Sequence, residues 1–170
     1  MMNSENVEIS YDIDELLKAE QFLLGVHNVL PDLDDDGFAD LTHEEKVLSN
    51  LAEYQVLCGG GFSTLVQNMY FGLLEGTLQA AKEIEASLLF EGLTELWNIL
   101  EEHGFPRNAE GCYDMSTEDV DMELLDEDLN DLNGKYFSDE PSLWRDPEYH
   151  EKAKAYVLAN IEVFRKRKKK

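Results

Sequence analysis

Apolar residues recur three and four positions apart along almost the whole chain, the period of a helix with one buried face. Ile13, Leu16, Leu17, Phe22, Leu23 and Val26 predict a first helix over 11–29, ended by Pro31 and the run Asp32 to Gly37. A second helix opens at Thr42. Glu45 stands three residues on, so each side chain can satisfy a free N–H of the first turn as a capping box. Leu48, Leu51, Ala52 and Val56 follow on one face, and Gly59-Gly60-Gly61 stops the helix.

Phe62, Leu65, Val66, Met69 and Tyr70 predict a third helix over 62–73, with Gly72 and Gly76 bracketing a short joint. Thr77 is the expected cap of a fourth, 78–90, followed or continued by a fifth, 91–103, which Gly104-Phe105-Pro106 ends. After a loop over 105–115, Ser116 or Thr117 is expected to cap a helix to about 132, with Leu125, Leu129 and Leu132 inward and Gly134 at its end. Residues 135–145 read as irregular and aromatic. Asp146-Pro147 then starts a last helix over 147–166. No strand pattern and no long repeat is present. The expectation is an all-α fold, one domain over 1–164 with roughly seven helices, and a short tail over 165–170.

Charge changes this picture more than composition does. The chain of 170 residues holds 43% hydrophobic residues, enough for its own core. It also holds 37 acids against 14 bases, a formal net charge of -23. Six of those bases, Arg165 to Lys170, are the last six residues, so residues 1–164 carry only eight bases against all 37 acids. Such a body repels nucleic acid and anionic membrane and attracts basic proteins. Cations at a helix C-terminus suit the macrodipole and offset some of the body's repulsion, the plain role for the tail; a nucleic-acid or acidic-patch contact is the alternative, including a tail folded onto the chain's own acidic surface in competition with a partner. The chain has no run of about 18 apolar residues, and its start lacks the basic-then-apolar pattern of a secretory signal. With two distant cysteines and no C-x-x-C, a reducing cytoplasmic location is expected.

Little in the chain points to catalysis. Asp32-Leu33-Asp34-Asp35-Asp36-Gly37-Phe38-Ala39-Asp40 copies the first half of a calcium loop, with acids at positions 1, 3, 5 and 9 and glycine at 6. Position 12, which should be a bidentate Glu, is His43; Glu44 comes one residue late. The plain reading is a solvated acidic turn. His27, His43, His103 and His150 are scattered without metal-ligand spacing, and neither Cys58 nor Cys112 has a neighbouring histidine. The triple glycine lacks the Lys-Ser/Thr of a phosphate loop and follows no strand, and Ser63 and Thr64 have no base in view. So many acids make chance carboxylate pairs uninformative. No enzyme activity, cofactor or metal is expected.

The acids themselves are the strongest signal. Residues 110–131 hold ten: Glu110, Asp114, Glu118, Asp119, Asp121, Glu123, Asp126, Glu127, Asp128 and Asp131, with no Lys or Arg between them. On a helix, Asp119, Glu123, Asp126 or Glu127, and Asp131 fall on one face with Cβ atoms about 5–6 Å apart, a spacing that costs a few tenths of a kcal/mol per like-charged pair. Asp32 to Glu45, with Asp34, Asp35 and Asp36 within it, form a second block, and Asp12, Asp14, Glu15 and Glu20 another. Uninterrupted runs forgo the usual compensating lysines, which points past solubility to a strongly basic protein partner.

The middle of the chain resembles a bacterial family of helical domains, labelled as of unknown function, whose named member is a dimeric DNA mimic. The residues that carry the resemblance are Leu48-Ser49-Asn50-Leu51, then Gly60-Gly61-Phe62, then Asn68, within about 45–102. Two asparagines of the family pattern are replaced by Cys58 and Gly59, its glutamine by Thr64, and its aromatic pair by Leu65-Val66. The resemblance implies an all-α homodimer without catalytic residues. Its acidic surface would occupy the DNA-binding face of a helix-turn-helix regulator. Trp97, Trp144, Tyr136 and Phe137 would supply apolar surface for a dimer. The expected contact residues are Asp34, Asp35, Asp36, Glu118, Asp119, Asp121, Glu123, Asp126, Glu127, Asp128 and Asp131. The alternative is an immunity protein that neutralises a basic toxin or nuclease.

Overall fold

The computed structural model describes residues 9–68, 71–105, 120–138, 142–144 and 148–167. Among these the chain is helical throughout and has no strand. The helices are α1 (Ile13–Leu16), α2 (Phe22–His27), α3 (His43–Leu57), α4 (Phe62–Gln67), α5 (Phe71–Glu83), α6 (Ser87–Glu102), α7 (Met122–Asn133), α8 (Glu148–Ala159) and α9 (Ile161–Arg165). A short 3-10 helix (Asp36–Asp40) precedes α3, and a π-helical turn (Gly134–Ser138) continues α7.

α3 is the centre. Val47 to Tyr54 are buried without a break, so the helix is covered nearly all round, rather than along the single stripe its sequence predicts. α5, α2 and α8 pack on it, α6 packs on α5, and α7 rests on α6 and α4. One core joins them, with Tyr54, Phe62, Phe71, Trp97 and Phe164 among its largest side chains. The capping box forms as expected: Glu45 N–H donates to Thr42 Oγ1 at 3.2 Å, and Thr42 N–H to Glu45 Oε2 at 2.9 Å.

Several helix boundaries differ from those the pattern predicts. The expected first helix bends into α1 and α2. Ile13 and Phe22 are nine residues apart, on opposite sides of a straight helix, yet both are buried. The bend between them brings both to the core, with Leu16 Cδ2 3.1 Å from where a Cβ on Gly25 would lie. α5 runs straight through Gly72 and Gly76, so there is no joint. A Cβ at Gly76 would lie 2.7 Å from Asn50 Oδ1, so glycine there permits the close crossing of α5 over α3. Thr77 is no cap: it is buried, and its hydroxyl donates to the Asn50 carbonyl at 3.3 Å.

The break expected near 90 falls at 84–86. Ala86 N–H donates to Ala81 C=O at 2.9 Å and Glu85 N–H to Lys82 C=O at 3.2 Å, the paired bonds of a Schellman ending. Glu85 takes the left-handed position at φ +60°, where glycine is usual. The end of α6 repeats this geometry with Gly104 at φ +90°. α7 starts later than predicted, capped by Asp121, while Ser116 and Thr117 lie outside the described residues. Gly134 passes the chain into the π-helical turn, which buries Tyr136 and Phe137. The last expected helix is divided at Asn160, and Asp146-Pro147 lies outside the described residues.

The C-terminal basic residues are not a free arm as far as Arg167. Arg165 reaches Asp14 through Nη2 and Nε, at 2.9 and 3.1 Å. Arg167 forks onto Glu45, with Nε to Oε1 and Nη2 to Oε2 both 2.8 Å. Tyr11 OH donates to the same carboxylate at 2.6 Å. Burial raises the Glu45 pKa, but the bonds from Arg167, Tyr11 and Thr42 N–H outweigh it and hold the group below the usual carboxylate range. No helix among the described residues is long and apolar enough to cross a membrane.

Candidate protein-interaction surface

α7 is an amphipathic helix whose two sides have separate tasks. Leu125, Leu129 and Leu132, spaced four and three residues apart, face the core. Glu123, Asp126, Glu127, Asp128 and Asp131 are all exposed. The helix is anchored at both ends. Asp121 Oδ1 accepts from the N–H groups of Glu123 and Leu124, each at 3.2 Å, so this acid is used as the N-cap. At the other end Asn133 Oδ1 accepts from Phe62 N–H at 2.8 Å, and Asn133 Nδ2 donates to Ser63 Oγ at 2.6 Å. That bond explains the glycine before Phe62. Gly61 lies at φ +78°, ψ -166°, a conformation essentially reserved for glycine, and a Cβ there would sit 2.6 Å from Asn133 Oδ1. The Gly-Gly-Phe turn is therefore both a helix end and the lock that fixes the acidic helix. Phe62 completes it, packing edge-on to Phe137 with ring centroids 5.0 Å apart.

Neutralisation of this face is sparse. Asp128 meets His103 Nε2 at 2.7 Å. Lys135, just past the helix end, is taken by Glu95 at 2.6 Å, and Tyr136 OH donates to the same carboxylate. Burial works against the Glu95 charge, but the bonds from Lys135 and Tyr136 prevail and lower its pKa. Glu123, Asp126, Glu127 and Asp131 make no ion pair among the described residues. Leu124, 53% exposed, lies on the stripe of Glu127, Asp128 and Asp131 and gives the face an apolar foothold.

Asp34, Asp35 and Asp36 are exposed as expected, on a different support. Their loop is tied to α3, and to α2 through His27 Nδ1, 3.3 Å from Asp32 Oδ1. Ser49 Oγ donates to Pro31 C=O at 2.8 Å, Leu33 N–H to Glu53 Oε2 at 3.3 Å, and Asp32 N–H to Asp35 Oδ2 at 3.0 Å. The half calcium loop thus closes on itself, and no group of three or more metal-ligating side chains occurs among the described residues. Glu118 and Asp119 lie outside the described residues.

Other candidates resolve into structural roles. Cys58 is buried and burial raises its thiol to about 11, so it is not a poised nucleophile; Cys112 lies outside the described residues. Trp97, Tyr136 and Phe137 belong to the core, leaving only Trp144 of the four expected dimer aromatics on the surface, 51% exposed. Sequence reasoning missed Asn133, His103 and Glu53. Each works through a partner 25 residues or more away or through burial, which local spacing does not register.

No protein-family model matches the chain, and no curated protein or solved structure matches it. The functional reading therefore rests on the surface itself.

Proposed function

We propose that this chain is an acidic interaction protein that occupies the DNA-binding surface of a basic protein, of the helix-turn-helix regulator kind, in place of DNA. The observation that carries the reading is the α7 face. Its carboxylates are held on a rigid, doubly anchored helix, and Glu123, Asp126, Glu127 and Asp131 have no cationic partner among the described residues. The twelve residues of α7 span about 18 Å. Duplex DNA carries about ten charges over that length, of which a protein on one side meets roughly half. The five exposed acids of α7 after its cap are of that order. Like charges at this spacing weaken an isolated helix, so their retention fits a surface selected for a cationic partner. Association with such a partner would be fast and salt-sensitive.

The test is to immobilise the protein, pass cell lysate over it and elute with rising salt. A DNA-binding regulator that elutes late and is displaced by its own operator duplex supports the reading. Elution of mixed basic proteins at low salt, or a late-eluting nuclease or toxin that DNA does not displace, contradicts it.

A further inference from the structure

A second surface, away from α7, has the form of a groove. Three clefts adjoin along α2, the 32–36 loop and α3. The first, about 740 Å³, is bounded by Pro31, His27, Asp32 and Asp35. The second, about 330 Å³, shares those last three residues and adds Glu53 and Val56. The third, about 400 Å³, shares Val56 and adds Leu24 and Glu20. Together they make one furrow with aliphatic patches, carboxylates along its length, and no Lys or Arg among the described residues that line it. Leu24 and Val56 are among the few large aliphatic side chains left exposed among the described residues, at 40% and 41%, and both line the same end.

We infer that this furrow docks a cationic, amphipathic segment of the protein partner, with Lys or Arg side chains against Asp32, Asp35 and Glu53 and an aliphatic side chain between Leu24 and Val56. The inference rests on reading the chain as the partner of a basic protein. Charge complementarity is the argument for this occupant. Burial and the neighbouring acids raise the Asp32 and Glu53 carboxyls, with only His27 opposing from the cationic side. An incoming cation relieves that repulsion. Two of the chain's own cations are committed elsewhere, Arg165 to Asp14 and Arg167 to Glu45. Long basic side chains suit the site because their stems lie on apolar surface while their heads reach carboxylates.

The experiment uses two fluorescent peptides of equal length and charge, one of lysine and leucine in helical period, the other with serine for leucine. Fluorescence anisotropy measures their binding to the full chain. The lysine–leucine peptide is expected to bind at least about tenfold more tightly. The double variant Leu24→Ser, Val56→Ser, both exposed positions, is expected to abolish most of that preference while its melting temperature holds. The variant Glu123→Gln, Asp126→Asn, Glu127→Gln should weaken both peptides and leave their ratio unchanged. Equal affinities, or a preference that survives the Leu24/Val56 variant, overturn the groove. Concentration-dependent self-association that the same variant abolishes also overturns it, by giving the groove to a second copy. None of these results decides what α7 captures, so failure here is distinct from failure of the DNA-competition reading.

Discussion

Glu53 shows how a residue reads differently in sequence and in space. In the sequence it is one more acid on a helix; in the fold it is 7% exposed, close to Asp32 and Asp34, with Leu33 N–H as its hydrogen-bond donor. Burial and these neighbours raise its pKa in the folded chain, so the fold binds a proton there more readily than the unfolded chain does. Stability is then lost as pH rises through that window and restored below the unfolded carboxylate value of about 4.3. Glu53→Gln keeps an acceptor for Leu33 N–H and removes the charge. It should raise the melting temperature by a few degrees at pH 7, and the gain should close as pH falls toward about 4. Melting curves across that range check it; a gain independent of pH would contradict the account. Glu45 has the opposite sign. Arg167, Tyr11 and Thr42 N–H depress its pKa, so its contribution is full above the unfolded value and lost only in acid. The capping box was legible in the sequence because both partners lie within one turn. Arg167 was not, being 122 residues away.

At the scale of elements, period and glycine placement located most helices but not the joints between them. The second predicted helix matches α3, and Gly104 ends α6 as expected. The break after α5 was misplaced because its left-handed residue is Glu85, which carries no sequence mark of a stop. Glu85→Gly should stabilise the chain by about 1 kcal/mol, the left-handed penalty less glycine's greater freedom when unfolded. Gly104→Ala should destabilise it by a similar amount. Denaturant titration of the pair measures both, and equal effects of one sign would contradict this account of the two endings. The two-part start has a similar lesson. A stripe from Ile13 to Val26 fits helical spacing locally, but the half-turn offset between Ile13 and Phe22 requires a bend. The role of the Gly-Gly-Phe turn was half legible. Its glycines announced a helix end, while its lock on α7 needs Asn133, 71 residues from Phe62.

For the whole molecule, charge asymmetry was visible in composition, and the structure divides it into distinct surfaces. Part of the acidity is spent internally: Asp121 on a cap, Glu45 and Asp14 on the C-terminal arginines, Glu95 on Lys135. Among the acids left outward, those of the α7 face and of the furrow beside the 32–36 loop carry the two proposed contacts. The all-α expectation holds, because a strong helical period and the absence of alternating runs survive errors in every individual boundary. The measurement that bears most directly on the central claim is displacement. The regulator retained on the immobilised protein is bound to a fluorescent operator duplex, and this chain is titrated in. The account predicts that the wild-type chain releases the duplex, while the Glu123→Gln, Asp126→Asn, Glu127→Gln variant, equally folded, needs at least about tenfold more protein to do so. A regulator that holds the duplex and this chain at the same time would contradict it.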